Sequence, residues 1–167
     1  MTLPNGVAPK YGIFTTDREF ADCTIDGYVR SHNCKCEKRV KSAYDSYAFM
    51  KDGTKYQWIR PNDSARGHKC SVGVIDLATC SLDFIREWIP HICLFAEQEK
   101  RYVLKDSNNT IDNNEPYDLH TLIDRLQKIE AIFGNLEKLG FNDTEYGWQR
   151  IMYIDADKEE VSFGTYC

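Results

Sequence analysis

Cysteine and histidine side chains occur close together at two places in this chain. His32, Cys34 and Cys36 lie within five residues, and His68 and Cys70 form a second group. Zinc prefers four such ligands at tetrahedral angles, with the cysteines bound as thiolates. Cys34, Cys36, His68 and Cys70 would complete such a set, so a zinc-stabilised interaction domain is one hypothesis. The single residue between Cys34 and Cys36 argues against it, because paired zinc cysteines usually have two residues between them.

Basic side chains crowd one polar loop. Arg60, Arg66, His68 and Lys69 lie in or beside it, and arginine forks and loop N–H groups suit phosphate oxygens. With His68 as general acid or base and Asp63 orienting it, the loop would be the active site of a small phosphoesterase-like hydrolase. The alternative is a solvated loop that simply collects charge, since Asp63 offsets part of the positive charge.

A cysteine nucleophile is a third hypothesis, and the sequence favours it least. Such a residue needs a nearby base and a lowered thiol pKa. His68 and Cys70 are close in sequence, but a contact of Cys70, Cys80 or Cys93 with His68, His91 or His120 would depend on the fold. No family-specific signature surrounds any of these residues. Most of the seven cysteines are therefore expected to be small, buried, apolar side chains.

Aromatic residues beside acidic ones carry the preferred functional hypothesis. Aromatic residues make up 13% of the chain, too many for all of them to be buried. Tyr and Trp are favoured anchors of protein interfaces, and an acidic rim steers such a surface toward a basic partner. We therefore expect a non-catalytic protein-binding or regulatory module, such as a small inhibitor or adaptor of the kind that phages and mobile elements encode. The expected binding residues are Tyr117, Tyr146, Trp148, Tyr153, Asp155 and Asp157.

Composition and charge exclude several other classes. The 167 residues, 42% hydrophobic and 28% charged, are typical of one folded domain and too apolar for disorder. No stretch reaches the roughly 18 apolar residues of a membrane helix. The net charge of -5 disfavours nucleic acid unless the basic residues are segregated. The polar N-terminal segment and the odd number of cysteines predict a cytoplasmic protein without a disulfide framework.

Sequence periodicity predicts the elements that position these residues. Runs rich in β-branched and aromatic residues predict strands over 11–14, 23–29, 55–59, 70–77, 101–104, 150–154 and 160–163. Apolar steps of three and four predict helices over 37–50, 82–96 and 119–136. Ser81 is the predicted N-cap of the second helix, which Pro90 kinks or divides. The third helix either reaches a cap at Gly140 or breaks earlier, at 134–135.

Short strands mixed with two or three helices predict an α+β fold, because most connections are too short for regular βαβ units. We expect a single globular domain over 1–167 with an irregular arm over 1–10, a mainly antiparallel sheet, and helices packed on one face. No glycine-rich loop joins a strand to a helix, which argues against a nucleotide-binding doubly wound sheet. No cofactor is expected, with zinc as the alternative.

Overall fold

The computed structural model describes residues 7–93, 102–108, 119–134, 138–141, 151–155 and 160–164, the last three ranges by their backbone. Contacts within the chain divide it into two compact units, Met1–Ser107 and Asn108–Cys167. A single domain over the whole of 1–167 therefore stays a prediction. Among the described residues, no helix has the length and apolar character needed to cross a membrane.

The first unit is built on one mixed sheet. In chain order its described elements are β1 (Lys10–Phe14), α1 (Arg18–Ser31), β2 (Cys36–Lys41), β3 (Ser46–Met50), β4 (Lys55–Ile59), a 3-10 helix (Asp63–Gly67), β5 (Val72–Asp76), α2 (Leu82–Glu87), α3 (Ile89–Ile92) and β6 (Tyr102–Lys105). The strand order is β2-β3-β4-β1-β5-β6. Strands β2, β3 and β4 pair antiparallel, whereas β1 is parallel to β4 and β5, and β5 is parallel to β6. The predicted α+β class is confirmed.

The helices of this unit lie on both faces of the sheet. Ile13 of β1 belongs to a core cluster with Ala21 and Ile25 of α1. The next residue, Phe14, contacts Phe84 of α2, with 6.0 Å between ring centroids. Successive strand residues point to opposite faces, so α1 and α2 cover different faces, whereas a single helical face was expected. The physical reason is that parallel crossovers leaving the sheet in opposite directions place their helices on opposite sides.

The strand predicted over 23–29 is wrong, because these residues lie within α1. Asp17 caps this helix, its carboxylate accepting a hydrogen bond from the Phe20 N–H at 3.0 Å. Ala21, Thr24 and Ile25 recur at helical spacing and are buried. Packing of this apolar face against the sheet outweighs the strand preference of its β-branched residues.

The helix predicted over 37–50 is also wrong, because these residues form the antiparallel pair β2 and β3. In β3 the buried residues Ser46, Ala48 and Met50 alternate with Tyr47 and Phe49. This period of two is the pattern of a strand with one covered face. The apolar steps of three and four in the sequence combine residues from two different strands, so they describe no single face.

The remaining predicted elements of the first unit are confirmed. Strands occur over 10–14, 55–59, 72–76 and 102–105, with residue 10 of the expected arm joining β1. The Ser81 hydroxyl accepts from the Phe84 N–H at 3.1 Å and begins α2. Pro90 stands in the first turn of α3, so it divides the predicted helix in two. Residues 1–6 lie outside the described residues.

The second unit contains α4 (Leu119–Phe133) and a three-stranded sheet of β7 (Lys138–Phe141), β8 (Ile151–Asp155) and β9 (Glu160–Gly164) in the order β7-β9-β8. The strands predicted over 150–154 and 160–163 are confirmed, and β8 and β9 pair antiparallel. Helix α4 ends at Phe133, followed by Gly134 with a φ of 80°. Only glycine adopts this angle readily, so the helix ends at Gly134, the earlier of the two predicted ends. The cap at Gly140 is wrong because Gly140 belongs to β7.

Candidate functional site

A cavity of about 300 Å³ lies along one face of β1 and β4, from Lys10 and Lys55 at the amino-terminal ends of these strands to Ile59 at the end of β4. Lys10 and Lys55 are register partners on these two parallel strands, so their side chains leave the same face of the sheet. Nine residues line this lysine cavity: Lys10, Tyr11, Lys55, Gln57, Ile59, Gly67, His68, Lys69 and Cys70. Three of them are lysines and none is acidic, so the cavity has a positive lining.

Hydrogen bonds fix the wall of the lysine cavity that follows the 3-10 helix. The His68 N–H donates to the Ala65 carbonyl at 3.0 Å and ends that helix. The Lys69 ammonium donates to the carbonyl of His91 at 2.7 Å, and the Cys70 N–H donates to the carbonyl of Ile92 at 2.9 Å. This wall is therefore attached to α3 through Lys69 and Cys70, and the backbone of His68 is fixed at the end of the 3-10 helix.

The charges of nearby lysines lower the pKa values of two groups that line the cavity, His68 and Cys70. Burial lowers the pKa of His68 below its usual 6.5, Lys55 lowers it further, and Asp45 opposes them. The hydrogen bond from the Cys93 thiol, and then the charges of Lys55 and Lys10, hold the pKa of the Cys70 thiol below its usual value, although burial opposes them. Lysine charge thus stabilises the deprotonated form of both groups, as expected where a negative charge is favoured.

Two aromatic rings continue the same face of the sheet next to the lysine cavity. Tyr47 and Phe49 contact each other edge-on, with 5.5 Å between ring centroids. The Lys55 ammonium lies 5.7 Å from the Tyr47 ring and 5.2 Å from the Phe49 ring, and Lys38 lies 5.5 Å from Tyr47. Phe49 is 36% exposed. A flat ligand group bound in this region would find both ring surface and positive charge.

The structure divides the basic residues expected to act together in the 60–69 loop. His68 and Lys69 line the lysine cavity. Arg60 instead stacks on Trp58 at 4.8 Å and donates to the Ala43 carbonyl at 3.1 Å. Arg66 stacks on Trp88 at 4.2 Å, and its other neighbour is the exposed Asp63 carboxylate at 4.0 Å. Neither arginine lines the cavity beside His68, so the expected hydrolase set is not assembled.

The four expected zinc ligands are not brought together either. Cys36 begins β2 and its thiol donates to the Lys38 carbonyl, whereas Cys70 precedes β5 and lines the lysine cavity with His68. Strands β3, β4 and β1 separate β2 from β5. Four strand spacings amount to about 19 Å, far beyond the roughly 2.3 Å of a zinc–sulfur bond. Cys34, near Cys36, lies instead beside His32 and Asp52.

Asp76 occupies the opposite, carboxyl-terminal edge of the parallel strands. This residue is 1% exposed. It accepts hydrogen bonds from the hydroxyls of Thr15 at 2.7 Å, Thr79 at 2.7 Å and Ser107 at 2.8 Å, and from two backbone N–H groups. This Asp76 cluster joins the chain after β1, β5 and β6, and its acceptor oxygens are occupied by the protein itself.

The aromatic and acidic residues of the preferred hypothesis fall in the second unit. Tyr153 and Asp155 belong to β8, in register with Ser162 and Glu160 of β9. The others, Tyr117, Tyr146, Trp148 and Asp157, lie outside the described residues. The binding surface expected from these six residues therefore stays a prediction.

No family model matches the chain, and no curated protein or solved structure shows significant similarity to it. The functional argument therefore rests on the geometry of the described residues.

Proposed function

We propose that the chain is a non-catalytic binding module whose first unit binds a phosphate-bearing anion in the lysine cavity. The observation that carries this proposal is the pairing of Lys10 and Lys55 on adjacent strands, opposite His68 and Lys69, around a lining without a carboxylate. Ammonium groups donate strong, charge-assisted hydrogen bonds to phosphate oxygens. The volume of about 300 Å³ is at the small end of ligand pockets and suits a phosphate with part of its substituent.

The distribution of charge along the chain supports an anionic ligand for the first unit. Residues 1–107 contain 16 Lys and Arg against 14 Asp and Glu, a balance of +2. Residues 108–167 contain 5 against 12, a balance of -7. The acidity of the whole chain therefore belongs to the second unit. This is the segregation of basic residues under which a net negative chain can still attract phosphate.

The neighbouring aromatic rings refine the ligand class to a nucleotide type. Tyr47 and Phe49 lie on the same sheet face as Lys55, and their rings offer a surface on which a base can stack. Base–aromatic stacking contributes roughly 1–3 kcal/mol per base in single-stranded nucleic acid complexes. A free nucleotide and a single strand share the phosphate and the base, so the two sources are separated by experiment.

The test is a calorimetric titration of the full chain with inorganic phosphate, a nucleoside monophosphate and a short single-stranded oligonucleotide. Lys55→Gln is expected to weaken binding roughly 10- to 100-fold, because hydrogen bonds to charged groups contribute about 1.5–3 kcal/mol. The matched control is Lys41→Gln, which removes the same charge from a residue paired with Asp26 of α1. Equal weakening by both variants, or no binding of the three probes at millimolar concentration, contradicts the proposal.

The arms of this titration distinguish the two ligand sources. Equal affinity for the mononucleotide and the oligonucleotide identifies a small-molecule site. Tighter oligonucleotide binding that falls with salt identifies a single strand, and Lys55→Gln should then reduce the slope of log K against log salt by roughly 0.7. Inorganic phosphate binding alone assigns the site to the phosphate and leaves no role for the rings.

The protein-binding function expected for the second unit stays a prediction, as does a cytoplasmic location. The balance of -7 in residues 108–167 is the observation that favours a basic partner there. Tyr153→Ala in β8 should weaken such a complex in a binding assay with an isolated partner. The same substitution should leave phosphate titrations of the first unit unchanged.

A further inference from the structure

Three side chains of different chemistry converge at one end of α1, and none of them lines the lysine cavity. They are His32, Cys34 and Asp52, and one ligand atom of each lies within 4.8 Å of the other two. His32 is the C-cap of α1, Cys34 follows in the connection to β2, and Asp52 lies in the turn between β3 and β4. Because α1 packs across β3 and β4, the fold brings these separate segments together.

Both nitrogens of the His32 ring have oriented partners. Nδ1 lies 2.8 Å from the hydroxyl of Tyr56, and Nε2 lies 2.9 Å from Oδ2 of Asp52. Tyr56 is only 3% exposed, so its hydroxyl is a fixed partner for Nδ1. A histidine that binds a metal through one nitrogen commonly donates the other N–H to such a partner, which fixes the tautomer and the ring.

Two contacts orient the Asp52 carboxylate. Its Oδ1 accepts a hydrogen bond from the Thr54 N–H at 2.9 Å. Its Oδ2 lies 2.9 Å from Nε2 of His32. The turn between β3 and β4 therefore presents a carboxylate oxygen to the imidazole.

We propose that His32 Nε2, Cys34 Sγ and Asp52 Oδ2 bind one zinc ion, with water as the fourth ligand. One sulfur, one imidazole nitrogen and one carboxylate oxygen form a donor set that zinc takes readily, whereas calcium and magnesium prefer oxygen alone. Zinc bonds of 2.0–2.3 Å place tetrahedral ligand atoms roughly 3.3–3.6 Å apart. The observed upper limit of 4.8 Å is within a small side-chain rotation of that geometry.

The position of the three residues indicates what the ion would do. The His32 side chain is 16% exposed and that of Asp52 is 42% exposed, so one side of the site faces solvent. Tyr56 belongs to the core cluster beneath, and Cys34 packs against that cluster. Zinc would therefore fasten the end of α1 to the β3–β4 turn, and the Cys34 thiol would release its proton to solvent on binding. This site requires no anion in the lysine cavity, so the two proposals stand or fall separately.

The experiment uses the full chain, stripped with a chelator and titrated with Co²⁺ as a spectroscopic substitute for zinc. We expect one ion per chain, a thiolate-to-cobalt charge-transfer band, visible bands typical of four-coordination, and loss of all of them on adding zinc. Cys34→Ser should abolish the charge-transfer band and weaken binding at least tenfold. Cys36→Ser is the matched control, because the Cys36 thiol donates to the Lys38 carbonyl, and it should leave the spectrum unchanged.

A second variant and a second measurement keep the proposal testable if Cys34→Ser fails to fold. Asp52→Asn keeps an oxygen for the Thr54 N–H while removing the charge, and it should weaken cobalt binding at least tenfold with the charge-transfer band retained. Zinc at a hundredfold excess over Kd should raise the Tm of the unaltered chain by roughly 5–10 °C. Loss of the band in both cysteine variants, an unchanged band in Cys34→Ser, or an equal Tm rise in Asp52→Asn overturns the proposal.

Discussion

The two ends of the parallel strands in the first unit differ in how their polar groups are satisfied. At the carboxyl-terminal end, five hydrogen bonds from the protein itself occupy the buried carboxylate of Asp76. At the amino-terminal end, Lys10, Lys55 and Lys69 surround a cavity whose lining contains no carboxylate. Open sheets with parallel strands usually bind ligands at their carboxyl ends. Here that edge holds the fold together, and the other end has charge available for a ligand.

The largest expected effect comes from removing the carboxylate at the closed end. Asp76→Ala would leave the hydroxyls of Thr15, Thr79 and Ser107 without their shared acceptor, and each unsatisfied buried group is unfavourable by about 1–3 kcal/mol. We expect the free energy of unfolding to fall by about 3 kcal/mol or more, measured by urea denaturation. Asp63→Ala, at a carboxylate with 88% exposure, is the control and should change it by less than about 0.5 kcal/mol. Similar losses of unfolding free energy in the two variants would show that the carboxyl-terminal end of the strands does not depend on Asp76.

A smaller effect is expected at the inner side of the lysine cavity. A Cβ on Gly12 would lie 2.5 Å from the Cys70 Sγ and 3.0 Å from the Ile59 Cδ1, so Gly12→Ala forces a shift at two residues that line the cavity. We expect a loss of about 1–3 kcal/mol in unfolding free energy, together with weaker phosphate binding. Gly27→Ala in α1 meets nothing within 4 Å and should instead add about 0.5–1 kcal/mol. A stabilising Gly12→Ala would contradict the tight packing described for this end.

The smallest expected effect is a pH dependence caused by His68. Because the pKa of His68 is lowered in the fold from the usual 6.5, the unfolded chain binds more protons between the lowered pKa and 6.5. Stability should therefore fall as the pH decreases through this window, and His68→Asn should remove that part of the fall. Denaturation at several pH values measures the effect.

The same histidine reports on the proposed ligand. Proton NMR titration of His68 should show a pKa below 6.5 in the free chain and a higher one in Lys55→Gln, because Lys55 contributes to the lowering. Added phosphate should raise it as well, since a bound anion stabilises the protonated ring. A His68 pKa at or above 6.5 without ligand would show that the lysine charge does not reach the ring.

Sequence reasoning found those elements whose local signal agrees with their packing. The strand at 55–59 and the start of α2 at Ser81 are confirmed because alternation and capping are local chemistry. The predictions are wrong where tertiary contacts decide whether a segment becomes a helix or a strand. The β-branched segment 23–29 becomes helical because Ala21, Thr24 and Ile25 pack on the sheet, and segment 37–50 becomes two strands because each pairs with a neighbour.

The candidate sites show the same limit. His68 and Lys69 were identified because they are adjacent in a basic loop, whereas Lys10 and Lys55 carry no signal until β1 and β4 pair. For the metal proposal, His32 and Cys34 were visible as a short cluster. Asp52 lies in the turn between β3 and β4, and no spacing in the sequence relates it to His32. Both the lysine cavity and the proposed zinc site depend on which strands and turns come together in the fold. That pairing cannot be deduced from a single sequence.

The central place of β1 has a consequence for how this unit is made. This strand precedes both of its neighbours, and the hydrogen bonds that fix it span 43 residues from Trp58 to Thr15 and 61 residues from Lys10 to Ser71. Closing such long loops is slow, since chain entropy must be lost before the contacts form. During synthesis, the strand must wait until β5 has left the ribosome before its second edge is covered. The apolar side chains of Ile13 and Phe14, fully buried in the finished fold, are therefore expected to lack part of their cover until β5 has been synthesised.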